Sequence, residues 1–204
     1  MADKFQSEVS ALLHGHNVFT RHEKPIPIVK NGRVVCWNSP ERFSPDLVGG
    51  LVHQINVEVK TGSKSFPFSS ITEGQMQYAR KWRVLRGCEF WFAIFFVLPY
   101  PVHGRLKRAL FIIPYPILQE AIQGAAAIGM KSISYKQEKG SRIAAIEKSL
   151  FASEIWRKFE LQYDSKRKWY FSKEHPFYKM YLNEEPYLYG MDNQSVKNQD
   201  VSLF

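Results

Sequence analysis

Two carboxylates and an ammonium are spaced in this chain so that they can work together on a phosphodiester. Asp46 follows Pro45, and further on comes Glu58-Val59-Lys60. On a β-strand, positions two apart share a face, so Glu58 and Lys60 point the same way. Breaking a phosphodiester calls for a divalent ion that polarises the phosphate and lowers the pKa of an attacking water. Magnesium or manganese takes hard oxygen ligands and keeps several waters, so Asp46 and Glu58 are sufficient protein anchors. Val59 points into the core and can still offer its backbone carbonyl. Lys60 can sit beside the water or the developing charge. The chain contains its own control: Asp164-Ser165-Lys166 also has an acid and a lysine two apart. It has no alternating apolar strand around it and no Pro-Asp upstream, and reads as a solvated charge cluster.

The elements around these residues must hold them in place. From His53 to Lys60 the chain alternates, with Ile55, Val57 and Val59 on one face and Asn56, Glu58 and Lys60 on the other. That pattern predicts a strand whose polar side lines a cleft. Leu47-Val48 precedes Gly49-Gly50, which predicts a turn ahead of it. After it, Thr72 with Gln75 three residues on matches a capping box, so a helix is expected to about Leu85, ending at Gly87. Phe5, Val9, Leu12 and Leu13 recur at helical spacing between Lys4 and His14, with Glu8 beside that stripe. Pro25 and Pro27 keep Asn17 to Val29 extended. Asn31-Gly32 between Ile28-Val29 and Val34-Val35 signals a hairpin. Phe90 to Leu98 and Ala109 to Pro114 read as two buried strands joined by a loop from Pro99 to Lys107. A helix near Ile117 to Ile128 follows, and a short amphipathic helix is expected within Phe151 to Tyr163. The order implies an α/β domain around a central mixed sheet flanked by helices. The core is expected over residues 1–130, with a basic, aromatic-rich C-terminal extension over 131–204.

Charge and composition narrow the partners. The 204 residues carry a formal net charge of +9, which favours polyanions, nucleic acid first and an anionic membrane surface second. Aromatics are frequent, at 15%. In the tail, Trp169, Tyr170, Phe171, Phe177, Tyr178 and Tyr181 alternate with cations. They can either stack on unpaired bases or bury themselves in a subdomain. Two cysteines, Cys36 and Cys88, make neither a disulfide framework nor a metal cluster, and point to a reducing, cytoplasmic setting. No stretch is apolar for long enough to span a bilayer, so no membrane partner is expected. His14, His16 and His22 lack the spacing of a zinc site.

The run from about His22 to Pro114 resembles the RecU-type Holliday-junction resolvases of the PD-(D/E)XK nuclease superfamily. His22-Glu-Lys-Pro-Ile-Pro27 is similar to the family's extended Lys-Pro-x-Pro segment. Pro45-Asp46-Leu-Val-Gly49 is similar to its metal-binding Asp and glycine turn, and Val57-Glu58-Val-Lys60-Thr61 to its acid-x-Lys strand. Ser65-Phe-Pro-Phe-Ser69 resembles its Ser-Phe-Pro-Leu string. Phe92 to Phe96 and Phe111 to Pro114 resemble its closing strands.

The resemblance implies a restriction-endonuclease-like core and a magnesium- or manganese-dependent endonuclease. Asp46 and Glu58 would be metal ligands, Lys60 the catalytic lysine, and Gln75 a group orienting Lys60 or the phosphate. It also implies Glu8 as the acid of the N-terminal helix, and Arg21, Lys24 and Lys64 as contacts to the DNA backbone. The implied substrate is branched, four-way DNA, and two symmetric nicks imply a homodimer. A restriction-type or repair endonuclease with the same centre, or a non-catalytic nucleic-acid binder on the same fold, are the alternatives. The family carries a long stalk between Lys-Pro-x-Pro and the metal-binding Asp, whereas Val29 to Ser44 is short here. The chain thus departs from the family in the segment that would read a junction.

Overall fold

The computed structural model describes residues 2–14, 20–22, 26–30, 33–38, 45–49, 55–86, 89–102, 106–137, 147–164, 166 and 168–182. The N-terminal apolar stripe forms α1 (Ala2–His14), and Phe5, Val9, Leu12 and Leu13 are all buried. Then come β1 (Thr20–His22), the antiparallel hairpin β2 (Ile26–Lys30) and β3 (Arg33–Asn38), β4 (Leu47–Gly49) and β5 (Ile55–Gly62). A short β6 (Ser65–Pro67) and a 3-10 turn lead to α2 (Glu73–Arg86). The long β7 (Glu89–Val102), β8 (Leu106–Pro114) and α3 (Tyr115–Ala127) complete the main layers.

The central sheet has the order β1-β4-β5-β7-β8. β5 and β7 are parallel and every other neighbouring pair is antiparallel, so the sheet is mixed as expected. A parallel pair needs a crossover, and α2 lies within it. Alternation along β7 divides the core in two. Trp91, Ala93 and Phe95 pack with α1, while Phe90, Phe92, Ile94 and Phe96 pack with Ala79 of α2 and Leu118 and Ala121 of α3. Both faces are covered, which is why the run Phe90 to Phe96 is apolar without a break.

Three expectations change. The loop foreseen from Pro99 is strand: β7 continues through Pro99 and Pro101 to Val102. The prolines fall where the β7–β8 register breaks, between Val97 and Val102, and beyond the last pairing with β5 at Phe96. A missing N–H costs nothing where no ladder bond is made. Gly49 belongs to β4 rather than to the turn. The helix expected within Phe151 to Tyr163 is only α4 (Glu154–Arg157). Phe151, Trp156 and Phe159 belong to the α2/α3 side and Leu161 to the α1 side, so the chain has to cross the sheet edge. It does so extended along β8: Ile112 N–H donates to Phe159 O at 3.0 Å, and Leu161 N–H to Leu110 O at 2.8 Å. The crossing also covers an otherwise open strand edge.

Residues on both sides of position 130 share these cores. β9 (Ser132–Ser134) pairs with β6, and β10 (Gln162–Tyr163) with β11 (Trp169–Tyr170). Trp169, Phe171 and Phe177 are buried on the α1 side, so these three aromatics are core and not a base-stacking platform. Burying each stabilises the fold by roughly 2–3 kcal/mol. His175 ties this segment to the edge crossing. Phe177 N–H donates to its Nδ1 at 3.0 Å, which leaves Nε2 to donate to Phe159 O at 3.1 Å. Burial pushes its pKa down to about 4.

Candidate active site

Strand register brings the acids together. β4 pairs with β5 through Leu47–Val57 and Val48–Asn56, so one step further Asp46 lies opposite Glu58. The Asp46 carboxylate is held at both oxygens. Val59 N–H donates to Oδ2 at 2.7 Å, and the Gln6 side-chain amide donates to Oδ1 at 2.6 Å. The polar face of β5 is not an open cleft wall. Asn56 is fully buried, and Glu58 is 4% exposed. The reason is the position of β5 between β4 and β7, with α2 over that face.

Lys60 Nζ lies 2.8 Å from Glu58 Oε1 and donates to Gln75 Oε1 at 3.1 Å. Gln75 is set by the start of α2. Its backbone N–H donates to Thr72 Oγ1 at 3.2 Å, and Thr72 N–H donates back to Gln75 Oε1 at 3.1 Å. This is the reciprocal capping box expected from Thr72 and Gln75. It also fixes the polarity of the side-chain amide. With Oε1 committed to Thr72 N–H and the Lys60 ammonium, Nε2 faces Glu58 and donates to its Oε1. One helix cap therefore orients both the lysine and the acid.

Electrostatics set this cluster apart. Burial, and after it the nearby Asp46 charge, push the Glu58 pKa up to about 7 against the lowering by Lys60. The ionised form of Glu58 is disfavoured because burial strips its water and the Asp46 carboxylate lies nearby.

The other residues singled out from the sequence are scattered. Glu8 is not gathered into this cluster. Its carboxylate takes Arg108 Nη1 at 2.7 and 2.9 Å and Trp169 Nε1 at 3.2 Å. The helix residue that reaches Asp46 is Gln6, which the sequence reading passed over. Its spacing, three before Val9 and seven before Leu13, places it at the border of the buried stripe, and that was the available signal. Arg21 lies in β1 opposite Val48. Lys24 falls outside the described residues. Lys64 is exposed just past the end of β5, and its carbonyl accepts from Tyr135 N–H at 2.8 Å.

The donor chemistry fits a hard divalent ion held by few protein ligands. Two carboxylates repel each other in a buried site, and a cation between them would remove that repulsion. Among the described residues no group of three or more His, Cys, Asp or Glu could hold a metal ion. No family model and no curated protein matches the chain. Among solved structures, the Holliday junction resolvase Hjc of Archaeoglobus fulgidus is similar at 16% identity over 57% of this chain and 74% of that chain, with a TM-score of 0.34. Among the described residues no helix is long and apolar enough to cross a membrane.

Proposed function

We propose that the protein is a metal-dependent DNA endonuclease, and that its substrate is branched DNA of the four-way kind, cut by a C2 homodimer. The observation that carries the nuclease reading is the cluster itself. Asp46, one residue before β4, lies opposite Glu58 of β5, Glu58 pairs with Lys60, Gln75 orients these two, and burial raises the Glu58 pKa to about 7.

In this reading Asp46 and Glu58 hold the ion, and the Val59 carbonyl is a third oxygen. Bound magnesium or manganese would polarise the phosphate and lower the pKa of the attacking water. Val59 N–H and Gln6 keep the Asp46 carboxylate in one orientation. Lys60 stands at the ligand carboxylate, where its ammonium can turn to charge developing on the phosphate. Gln75 limits how far it moves. The four-way substrate rests on the ordered strings that resemble those of resolvases, and the dimer on the need for two symmetric nicks.

The test is cleavage by the purified chain of a four-way junction, a flap, a linear duplex and a single strand, each with magnesium or manganese. Paired symmetric nicks in the junction, an intact duplex, and no cutting by Lys60→Ala are expected. Cutting of linear duplex as readily as junction overturns the substrate. No cutting of any of the four with either metal overturns the nuclease.

A further inference from the structure

The catalytic strand does not stop at Lys60. β5 runs on to Gly62, turns through Ser63 and Lys64, and enters β6, which pairs with β9 as a two-stranded ribbon. Gly62 fixes the ribbon against the sheet. A Cβ there would meet Ser65 O at 2.8 Å and the Phe96 ring at 3.0 Å. No residue with a side chain permits so close an approach, so the ribbon stands in a set place relative to Lys60.

The ribbon has two unlike faces. In its register Ser65 lies opposite Ser134, Phe66 opposite Ile133, and Pro67 opposite Ser132. Phe66 and Ile133 are both fully buried, so by alternation the serines and Pro67 face outward. Lysines stand at both ends. Exposed Lys64 and Lys136 flank the Ser65–Ser134 end, joined through the bond from Tyr135 N–H to Lys64 O. Exposed Lys131 stands at the other end, where its carbonyl accepts from Phe68 N–H at 3.0 Å. The two ends are about 13 Å apart along the strands. The Lys136 ammonium sits 3.7 Å from the centre of the Tyr100 ring, which holds it near the ribbon rather than free to wander. Neither 61–72 nor 129–137 contains an acid.

We propose that this ribbon is a docking track for the DNA sugar-phosphate backbone, with Lys64, Lys131 and Lys136 each neutralising a phosphate and Ser65, Ser132 and Ser134 offering hydroxyls between them. Small hydroxyls and flexible cations on a flat face suit a backbone and carry no means of reading bases. The track begins at Lys64, four residues along the chain from Lys60. The ligand, though not the surface, rests on the nuclease reading.

The experiment measures binding of the full chain to a fluorescein-labelled four-way junction by anisotropy in EDTA across a sodium chloride series. Lys64→Ala/Lys131→Ala/Lys136→Ala is compared with Lys107→Ala/Lys158→Ala/Lys173→Ala, which removes the same charge elsewhere. The ribbon triple is expected to flatten the slope of log affinity against log salt by about 2–3 and to weaken binding on the order of 100-fold at 0.15 M salt. The control triple should leave the slope near wild type, and the corresponding Lys→Arg ribbon triple should restore it. Equal slopes for the two alanine triples, or no DNA binding by the wild type, overturn the track. Wild-type binding with a ribbon-dependent slope but no cleavage with either metal overturns the nuclease and leaves the track standing. Cleavage that needs Lys60, with a ribbon triple indistinguishable from wild type in slope, overturns the track alone.

Discussion

Two polar clusters flank the same sheet and use similar parts to opposite ends. On the α1 side, Glu8 meets one guanidinium and one indole N–H. One acid balances one cation, and both side chains keep about a quarter of their surface in solvent. In the other cluster, Glu58 pairs with the Lys60 ammonium at 2.8 Å, Asp46 takes N–H donors from Val59 and Gln6, and the Glu58 side chain is 5% exposed. The first cluster is complete as it stands and joins α1, β8 and β11. The second holds a carboxylate whose ionisation the fold resists, since burial raises the Glu58 pKa to about 7. An arrangement that lowers stability persists where something else requires it, so the cluster around Glu58 is where chemistry is to be sought.

The comparison breaks most visibly at Glu58. Its pKa is raised from 4.5 to about 7, so the ionised form is disfavoured in the folded state. The unfolded chain loses this proton near pH 4.5 and the folded chain only near 7. Stability therefore falls as pH rises through that window, by about 3 kcal/mol in total. Glu58→Gln removes the penalty. At pH 8 in EDTA it should melt several degrees above wild type, while cleavage falls by roughly a thousandfold or more. Magnesium should raise the wild-type Tm at pH 8 and leave that of Glu58→Gln unmoved. Cleavage by wild type should decline below about pH 7, because a protonated Glu58 is a poor ligand. A variant that melts lower and still cuts would place the chemistry elsewhere.

The balanced cluster should answer in reverse. Arg108→Ala leaves Glu8 with only the Trp169 indole, and the loss of charge-assisted hydrogen bonds costs about 2 kcal/mol. Thermal melting should drop by several degrees. The rate of junction cleavage, measured well below the new Tm, should stay within a factor of two or so of wild type. A loss of cleavage in the still-folded protein would join Glu8 to the working centre after all.

What could be read from the sequence was what local spacing encodes. The stripe Phe5-Val9-Leu12-Leu13, the β2–β3 hairpin and the Thr72–Gln75 cap all depend on neighbours within a few residues. The alternation of β5 was legible, but its burial was not, because that depends on β4, β7 and α2 closing around it. The same limit hid the fate of Phe151 to Leu161. Periodicity there hinted at a helix, yet the apolar residues serve two cores on opposite faces of the sheet. Glu8 was singled out for its charge. Its partners lie 100 and 161 residues away, and no local pattern announces them.

The smallest effect, and the finest test of the comparison, lies at Gln6. Gln6 and Glu8 stand at opposite borders of the α1 stripe, one serving each cluster. Gln6 touches Asp46 only through Oδ1, and Val59 N–H still holds Oδ2 when the amide is gone. Gln6→Ala should thus loosen one ligand without removing it. The expected result is a cleavage rate down about tenfold, equivalent to roughly 1.4 kcal/mol, with a higher magnesium concentration needed for half-maximal rate. Melting in EDTA should change little, since the amide sits beside a partly solvated carboxylate. Gln6→Glu goes further, adding a third acid beside Asp46 and Glu58. It should push the pH at which cleavage reaches half its maximum above that of wild type, a shift that a merely structural glutamine would not produce. If both variants cut with the wild-type metal dependence and pH profile, α1 serves only the balanced cluster and the core.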